Sequence, residues 1–169
     1  ASRGLGDVYK RQVITTPEIK TSESYIDIKC DKYFDGFELK EAYPYEFSDA
    51  DGWAVVPLEV TTHGDVVDYY YDIYVGDLTG DDAPTDNQLI LDLAEYGRKN
   101  EPIAMSYCYF YEPLTLVYFA KDGDDNNSVV TRVPMFLYPE TANDVSEFNY
   151  YDNQSAAKQF YRREFSATR

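Results

Sequence analysis

Asp122, Asp124 and Asn126 place an oxygen-bearing side chain at every second position. This D-x-D-x-N spacing opens a calcium loop, because hard oxygen ligands at alternate positions can converge on one cation. The twelfth position of such a loop would be Val133 rather than a bidentate glutamate, and the sixth is Asn127 rather than glycine. A complete loop of that kind is therefore excluded. Two readings stay open: Ca2+ held by Asp122, Asp124 and Asn126, or a polar hairpin turn, which suits Asp and Asn because they tolerate turn dihedrals. Asp77, Asp81 and Asp82 form a second acidic loop with the same two readings.

Tyrosine offers a different chemistry. Tyr70, Tyr74 and the run from Tyr107 through Tyr109 to Tyr111 could build an aromatic platform, with Tyr70, Tyr74, Tyr107 and Tyr109 as the leading candidates, since aromatic faces stack on sugar rings or protein partners and the phenol adds a hydroxyl handle. In a sandwich of sheets alternate positions point inward, so about half of the tyrosines in these runs belong to the core. Trp53, at a strand start, reads as core or rim rather than as a ligand platform.

Nucleophilic or metal-assisted catalysis finds no such constellation. His63 is the single histidine and precedes Gly64 in a turn-like stretch, whereas a catalytic triad needs a buried, oriented base. There is no G-x-S-x-G, H-E-x-x-H, P-loop or G-x-G-x-x-G. Acidic residues are numerous enough to supply the carboxylate pair of a glycosidase, but no pair stands out by its surroundings. The sequence reads as non-enzymatic. Cys30 and Cys108 are the two cysteines and form no C-x-x-C. Two buried free thiols and one disulfide are both compatible with their strand-like settings.

The elements that must position these residues are mostly strands. Tyr25 to Cys30 alternates, with Ile26, Ile28 and Cys30 on one face. Trp53 to Thr62 puts Ala54, Val56, Leu58 and Val60 on one face, and Pro57 points to an edge, a bulge or a strand switch. Val66 to Val75 sets Tyr69, Tyr71, Ile73 and Val75 against Tyr70, Asp72 and Tyr74. Further strands are expected at Ile103 to Tyr111, Leu114 to Lys121 and Val129 to Tyr138, the last two pairing as a hairpin around the 122–128 turn. Asp31 to Gly36 reads as a turn and Phe37 to Phe47 as mixed. One helix is expected over about 85–97: Thr85 and Gln88 make a capping box, Leu89, Ile90, Leu93, Ala94 and Tyr96 make the apolar stripe, and Gly97 ends it. Many short strands with a single inserted helix predict an all-β, antiparallel β-sandwich.

Composition narrows the partners. The formal net charge is −16 at pH 7, from 31 acidic against 15 basic residues. Such a surface repels phosphates and anionic lipid, so no nucleic-acid partner is expected. High charge alone would suggest disorder, but disordered chains are poor in aromatics, and this one has 18 Tyr, 9 Phe and 1 Trp. No stretch approaches the roughly 20 apolar residues of a membrane-spanning helix.

The segment Trp53–Tyr71, WAVVPLEVTTHGDVVDYYY, followed by GDLT at 76–79 and a short helix at 85–97, resembles a fibronectin type III-like module of surface lipoproteins from Bacteroides-type bacteria. The LVYFAKD strand at 116–122, Arg132 and VSEF at 145–148 continue the likeness, which covers roughly Tyr25 to Phe148. The acidic 122–127 turn departs from it by lacking a later glycine. The resemblance implies an immunoglobulin- or fibronectin III-like sandwich in an extracytoplasmic setting on the surface of a Gram-negative bacterium. It implies no catalytic residues and no required cofactor. The expected role is adhesive, scaffolding or spacing, with neighbouring domains of the same polypeptide as partners. A carbohydrate-binding module using exposed tyrosines, contacting glycan or a host surface protein, and an accessory domain of a secreted hydrolase are the alternatives.

Ser2 to Gln12 resemble something else. One reading frame of a transposase sequencing adapter encodes SRGLGDVYKRQ residue for residue, so residues 1–12 are expected to be adapter-derived and their basic residues are set aside. On this reading the native N-terminus lies upstream. The expected organisation is a linker or first strand over 13–24, the sandwich over 25–140 and a C-terminal extension over 141–169.

Overall fold

A computed structural model of the protein describes residues 20–149, together with the backbone of Ala157–Phe160 and Arg163–Glu164. The adapter-like segment and much of the C-terminal extension lie outside the described residues. Strands dominate: β1 (Tyr25–Lys29), β2 (Phe34–Asp35), β3 (Ala54–His63), β4 (Val66–Val75), β5 (Arg98–Lys99), β6 (Ile103–Cys108), β7 (Pro113–Asp122), β8 (Thr131–Phe136), β9 (Ala157–Phe160) and β10 (Arg163–Glu164). Among the described residues two α-helices interrupt them, α1 (Gly36–Ala42) and α2 (Asp86–Tyr96), and two short 3-10 turns follow at Pro139–Thr141 and Val145–Glu147.

The strands form two sheets. The first runs β1-β3-β6-β9, with β2 also on β3; the second runs β10-β4-β7-β8, with β5 also on β4. Pairing is antiparallel except for β9 on β6 and β10 on β4. The protein is thus an all-β sandwich. β7 and β8 do pair as a hairpin, with Leu116 opposite Val133. Pro57 lies in the interior strand of the first sheet, not at an edge. β2 pairs with Ala54 and Val55 and β1 with Glu59 to His63, so Pro57 falls where one neighbour gives way to the other and its missing N–H is tolerated.

Period-two alternation explains the central core. Ile26, Ala54, Val56 and Leu58 meet Tyr71, Ile73, Leu114 and Leu116 between the sheets. Arg98, 3 % exposed, closes one side: its guanidinium donates to Met105 O at 3.1 Å and ion-pairs with Glu101 at 2.8 Å. The opposite faces of the strands are buried as well. Over the first sheet, Leu39 of α1, Phe47 and Phe148 pack on Val55, Met105 and Tyr107. Over the second, Leu89 and Leu93 of α2 pack on Tyr70, Tyr74, Val117 and Phe119. Each sheet is therefore covered over part of its outer face as well.

The two covering helices differ in how readily their residues announce them. α2 has the expected capping box, with Gln88 N donating to Thr85 Oγ1 at 3.2 Å and Thr85 N donating to Gln88 Oε1 at 2.9 Å. Gly97 N closes it on Leu93 O at 2.8 Å. α1 replaces a stretch expected to be turn and mixed structure. Asp35 caps it by accepting from Phe37 N at 3.0 Å. Its first residue, Gly36, sits so close to the neighbouring loop that a Cβ there would lie 1.9 Å from Ala50 O. Glycine is needed for that approach, and it reads as a turn when seen in sequence.

Candidate functional site

The tyrosines singled out by sequence do not form a platform. Tyr74 and Tyr107 are fully buried and Tyr70 nearly so. Tyr70 and Tyr74 do face away from the inter-sheet core, as alternation predicts, but α2 lies over them. Tyr74 Oη donates to Asp92 Oδ2 of α2 at 2.5 Å, and Tyr70 stacks on Phe119 with ring centroids 5.1 Å apart. Tyr107 lies under the α1 layer and donates to Asp49 Oδ1 at 3.2 Å. Burial, and then the adjacent Asp49 carboxylate, push its phenol well above the ordinary tyrosine range. Tyr109 is half-buried and stacked on Trp53 at 5.2 Å. The expectation of an exposed aromatic face at Tyr70, Tyr74 and Tyr107 is corrected here: a strand's outward face is not solvent when a helix packs on it.

The acidic turn is organised around its first residue. Asp122 Oδ1 accepts from Asp124 N at 2.9 Å and Asn126 N at 3.0 Å, and Oδ2 accepts from Ser22 Oγ at 2.5 Å. The Ser22 hydroxyl first, then the backbone donors, hold this carboxyl below its usual range. Asp124 is exposed and Asp122 and Asn126 are half-buried. Asp122 thus uses one oxygen to organise the turn and the other to tie it to Ser22, ahead of β1. Asp77 organises its loop through one oxygen, Oδ1, which accepts from both Thr79 N and Thr79 Oγ1. Among the described residues no group of three or more His, Cys, Asp or Glu side chains is arranged to hold a metal ion.

His63 ends β3. Its ring stacks on Tyr25 at 4.6 Å, and Nε2 lies 3.0 Å from Asp27 Oδ2. Both cysteines are free thiols. Cys30 lies with its Sγ 3.7 Å from Met135 Sδ. Burial pushes its thiol up to about 12, and burial raises Cys108 as well, so neither has thiolate character at neutral pH.

Two further features stand out, and of their residues only Tyr111, at the end of the Tyr107–Tyr111 run, is singled out in the sequence as part of a candidate site. One is a cleft of about 600 Å3 on the outer side of the first sheet, walled by Phe34, Pro57 and Ile103 and by charges of both signs, with Lys32 Nζ 3.9 Å from Glu147 Oε1. The other is a cluster of exposed aromatic rings at one end of the second sheet. Tyr111, Phe136 and Tyr138 are 55 %, 43 % and 43 % exposed. The Tyr138 ring lies 5.8 Å from Tyr111, edge to face, and 4.9 Å from Phe136.

Local chain geometry explains the cluster. Leu137 points into the inter-sheet core, so its neighbours Phe136 and Tyr138 point out together. The β7–β8 register puts Pro113 opposite Phe136, which brings the β6–β7 turn and Tyr111 alongside. Tyr111 takes a left-handed backbone, φ 60°, held there by its N–H to Leu137 O at 2.9 Å. Its hydroxyl is hydrogen-bonded to Glu140 Oε1. The Tyr138 backbone is pinned from the first sheet's side: Tyr33 Oη donates to Tyr138 O at 3.1 Å.

The arrangement sets three partly exposed aromatic rings beside a carboxylate. No helix among the described residues is long and apolar enough to cross a membrane. In comparison with known proteins, no family model matches the chain, and neither the curated proteins nor the solved structures searched contain a match to it.

Proposed function

We propose that the chain is a non-catalytic, immunoglobulin- or fibronectin III-like module of a bacterial surface lipoprotein, acting outside the cytoplasm as an adhesive, scaffolding or spacer unit. The strand order is the observation that carries this reading. Setting aside the two-residue strand β2, the first, second and fifth strands (β1, β3, β6) lie in one sheet and the third, sixth and seventh (β4, β7, β8) in the other, with β5 beside β4. Support for the reading comes from the likeness of this split to A, B and E facing C, F and G in an immunoglobulin-like sandwich, although β5 pairs with β4 rather than lying with the A, B and E strands as the D strand of a constant-type domain does. A fold of this kind does not by itself specify an activity. A mechanical role fits a body whose sheets pack on each other and carry a further apolar layer over part of each outer face, with its neighbours in the same polypeptide as first partners.

Recovering the complete reading frame around this chain tests the proposal. A secretion signal with a lipidation cysteine and further sandwich domains are the expected outcome. A catalytic domain fused in frame would overturn the spacer role in favour of an accessory domain of a secreted hydrolase. A frame without any secretion signal would sink the surface setting.

A further inference from the structure

We propose that Tyr111, Phe136, Tyr138 and Glu140 form a binding site for the sugar rings of a neutral glycan. The proposal goes beyond the scaffold role and rests on it only in placing the ligand outside the cell. Aromatic side chains normally contribute their large area to a core or an interface. Here three of them are held together in the open, 4.9 Å and 5.8 Å between centroids. Their spacing suits one or two pyranose rings, whose apolar C–H faces stack on aromatic faces while their hydroxyls seek acceptors. Glu140 supplies the acceptor, its carboxylate already oriented by the Tyr111 hydroxyl. An ionised carboxylate accepts through about four lone-pair sites, so one bond from Tyr111 does not saturate it.

The site is built before any ligand arrives. Leu137 anchors β8's end in the core, Tyr33 holds the Tyr138 backbone, and Tyr111 keeps a left-handed backbone that its ring size disfavours. Backbone strain of this kind persists where the surroundings over-determine it, and it gathers at ligand clamps. Pre-set side chains lose less conformational freedom on binding.

Charge selects the class of glycan. A net −16 repels uronic and sialic acids. A basic peptide would also be attracted, but Glu140 and Tyr111 form a joined acceptor and hydroxyl pair that matches vicinal sugar hydroxyls better than a lone ammonium. We therefore commit to the neutral sugar.

Affinity electrophoresis of the full chain through gels containing neutral glucans, mannans or galactans tests this, with polygalacturonate as the anionic control and a fluorescent oligolysine peptide in solution as the peptide arm. The expected result is retardation by at least one neutral polysaccharide and none by polygalacturonate. Tyr138→Ala and Phe136→Ala should each weaken that retardation more than tenfold without moving the unfolding temperature appreciably, and Glu140→Gln should weaken it while leaving the aromatic faces intact. Tyr25→Ala, at the other end of the molecule's aromatic surface, should bind as the parent does. No retardation by any neutral polysaccharide, retention of binding in both aromatic variants, or binding of oligolysine alone would overturn the proposal. A chain with the expected sandwich fold and secretion signal that fails these binding tests would leave the scaffold role standing, so the two can fail separately.

Discussion

Tyr74 and Tyr138 are the same residue type on strands of the same sheet, or just past one, and they meet opposite environments. Tyr74 points away from the inter-sheet core but is sealed beneath α2 and bonded to Asp92. Tyr138 also points outward, beyond the end of β8, and nothing among the described residues lies over it to the same degree: it is 43 % exposed. The difference comes from what crosses the sheet's outer face. Where a helix crosses, tyrosine supplies packing area and a satisfied hydroxyl. At the strand ends, where no helix reaches, the same side chain is available to a partner.

The largest test of that comparison is Tyr74→Ala. Truncating a buried aromatic costs about 3–5 kcal/mol, a large part of the ~5–15 kcal/mol that holds a typical domain folded. Tyr74→Phe should cost less, about 1–3 kcal/mol, because it removes only the hydroxyl that Asp92 accepts. Tyr138→Ala, at an exposed position, should fall within about 0.5 kcal/mol of the parent. Urea unfolding of the three variants reads this directly. Equal losses at positions 74 and 138 would erase the distinction between covered and open tyrosine.

The cover on the first sheet can be broken from its own side. Gly36→Ala would place a methyl 1.9 Å from Ala50 O, and the contact is with backbone, which cannot swing aside. Overpacking of this sort costs about 1–3 kcal/mol. The loss should appear in the unfolding midpoint and should loosen α1, raising the near-ultraviolet signal change from Trp53 and Phe47's neighbourhood. A Gly36→Ala variant as stable as the parent would mean that α1 and the loop at Ala50 are not locked together.

Much of the sandwich was legible in sequence, and the reasons are local. β3 and β4 carry apolar side chains at every second position, Ala54, Val56, Leu58 and Val60 in one and Tyr69, Tyr71, Ile73 and Val75 in the other, and α2 carries its cap in Thr85 and Gln88. α1 was not legible, because a seven-residue helix shows less than two full repeats of its period and begins with a glycine. Its consequence, the burial of Tyr107, was hidden with it. Phe148 joins the same cluster from more than a hundred residues beyond Phe34, a contact no local pattern can announce. The open aromatic cluster had a usable signal: the expected hairpin around 122–128, counted outward, puts Leu137 opposite Pro113, one residue from the observed register, and so brings Phe136 and Tyr138 near Tyr111. What sequence could not supply was the outward direction, fixed by Leu137 entering the core.

The open end can be sharpened at Tyr111. A side chain in the left-handed region costs roughly 1–2 kcal/mol relative to the ordinary backbone, whereas glycine adopts it freely. Tyr111→Ala loses the ring and keeps the disfavoured backbone; Tyr111→Gly loses the ring and relieves it. The glycine variant should therefore be the more stable of the two by about 1 kcal/mol in thermal or urea unfolding. An alanine variant as stable as the glycine variant would show that the backbone at 111 is not held at φ 60°.

The smallest effect lies at the acidic turn, which is exposed like the aromatic cluster but directs its polar groups inward on itself. Asp122 is depressed by Ser22 and by the Asp124 and Asn126 backbone donors. A carboxyl whose folded pKa is below its unfolded value, ~3.9 for Asp, stabilises the fold above that unfolded value and loses the contribution as pH falls through the folded one. Solvent still reaches this half-buried carboxyl and screens it, which keeps the effect small. Protonating the many other carboxylates over the same range relieves repulsion in a chain of net charge −16, so the parent's own acid profile mixes two opposed trends. The difference between parent and Asp122→Ala separates them, since the background repulsion is nearly common to both. That difference in unfolding temperature should be constant from pH 7 to about pH 5 and narrow below about pH 4. A difference that stays flat down to pH 2.5 would mean that the turn's hydrogen bonds do not depend on the charge of Asp122, and that this end of the sandwich is held by its backbone alone.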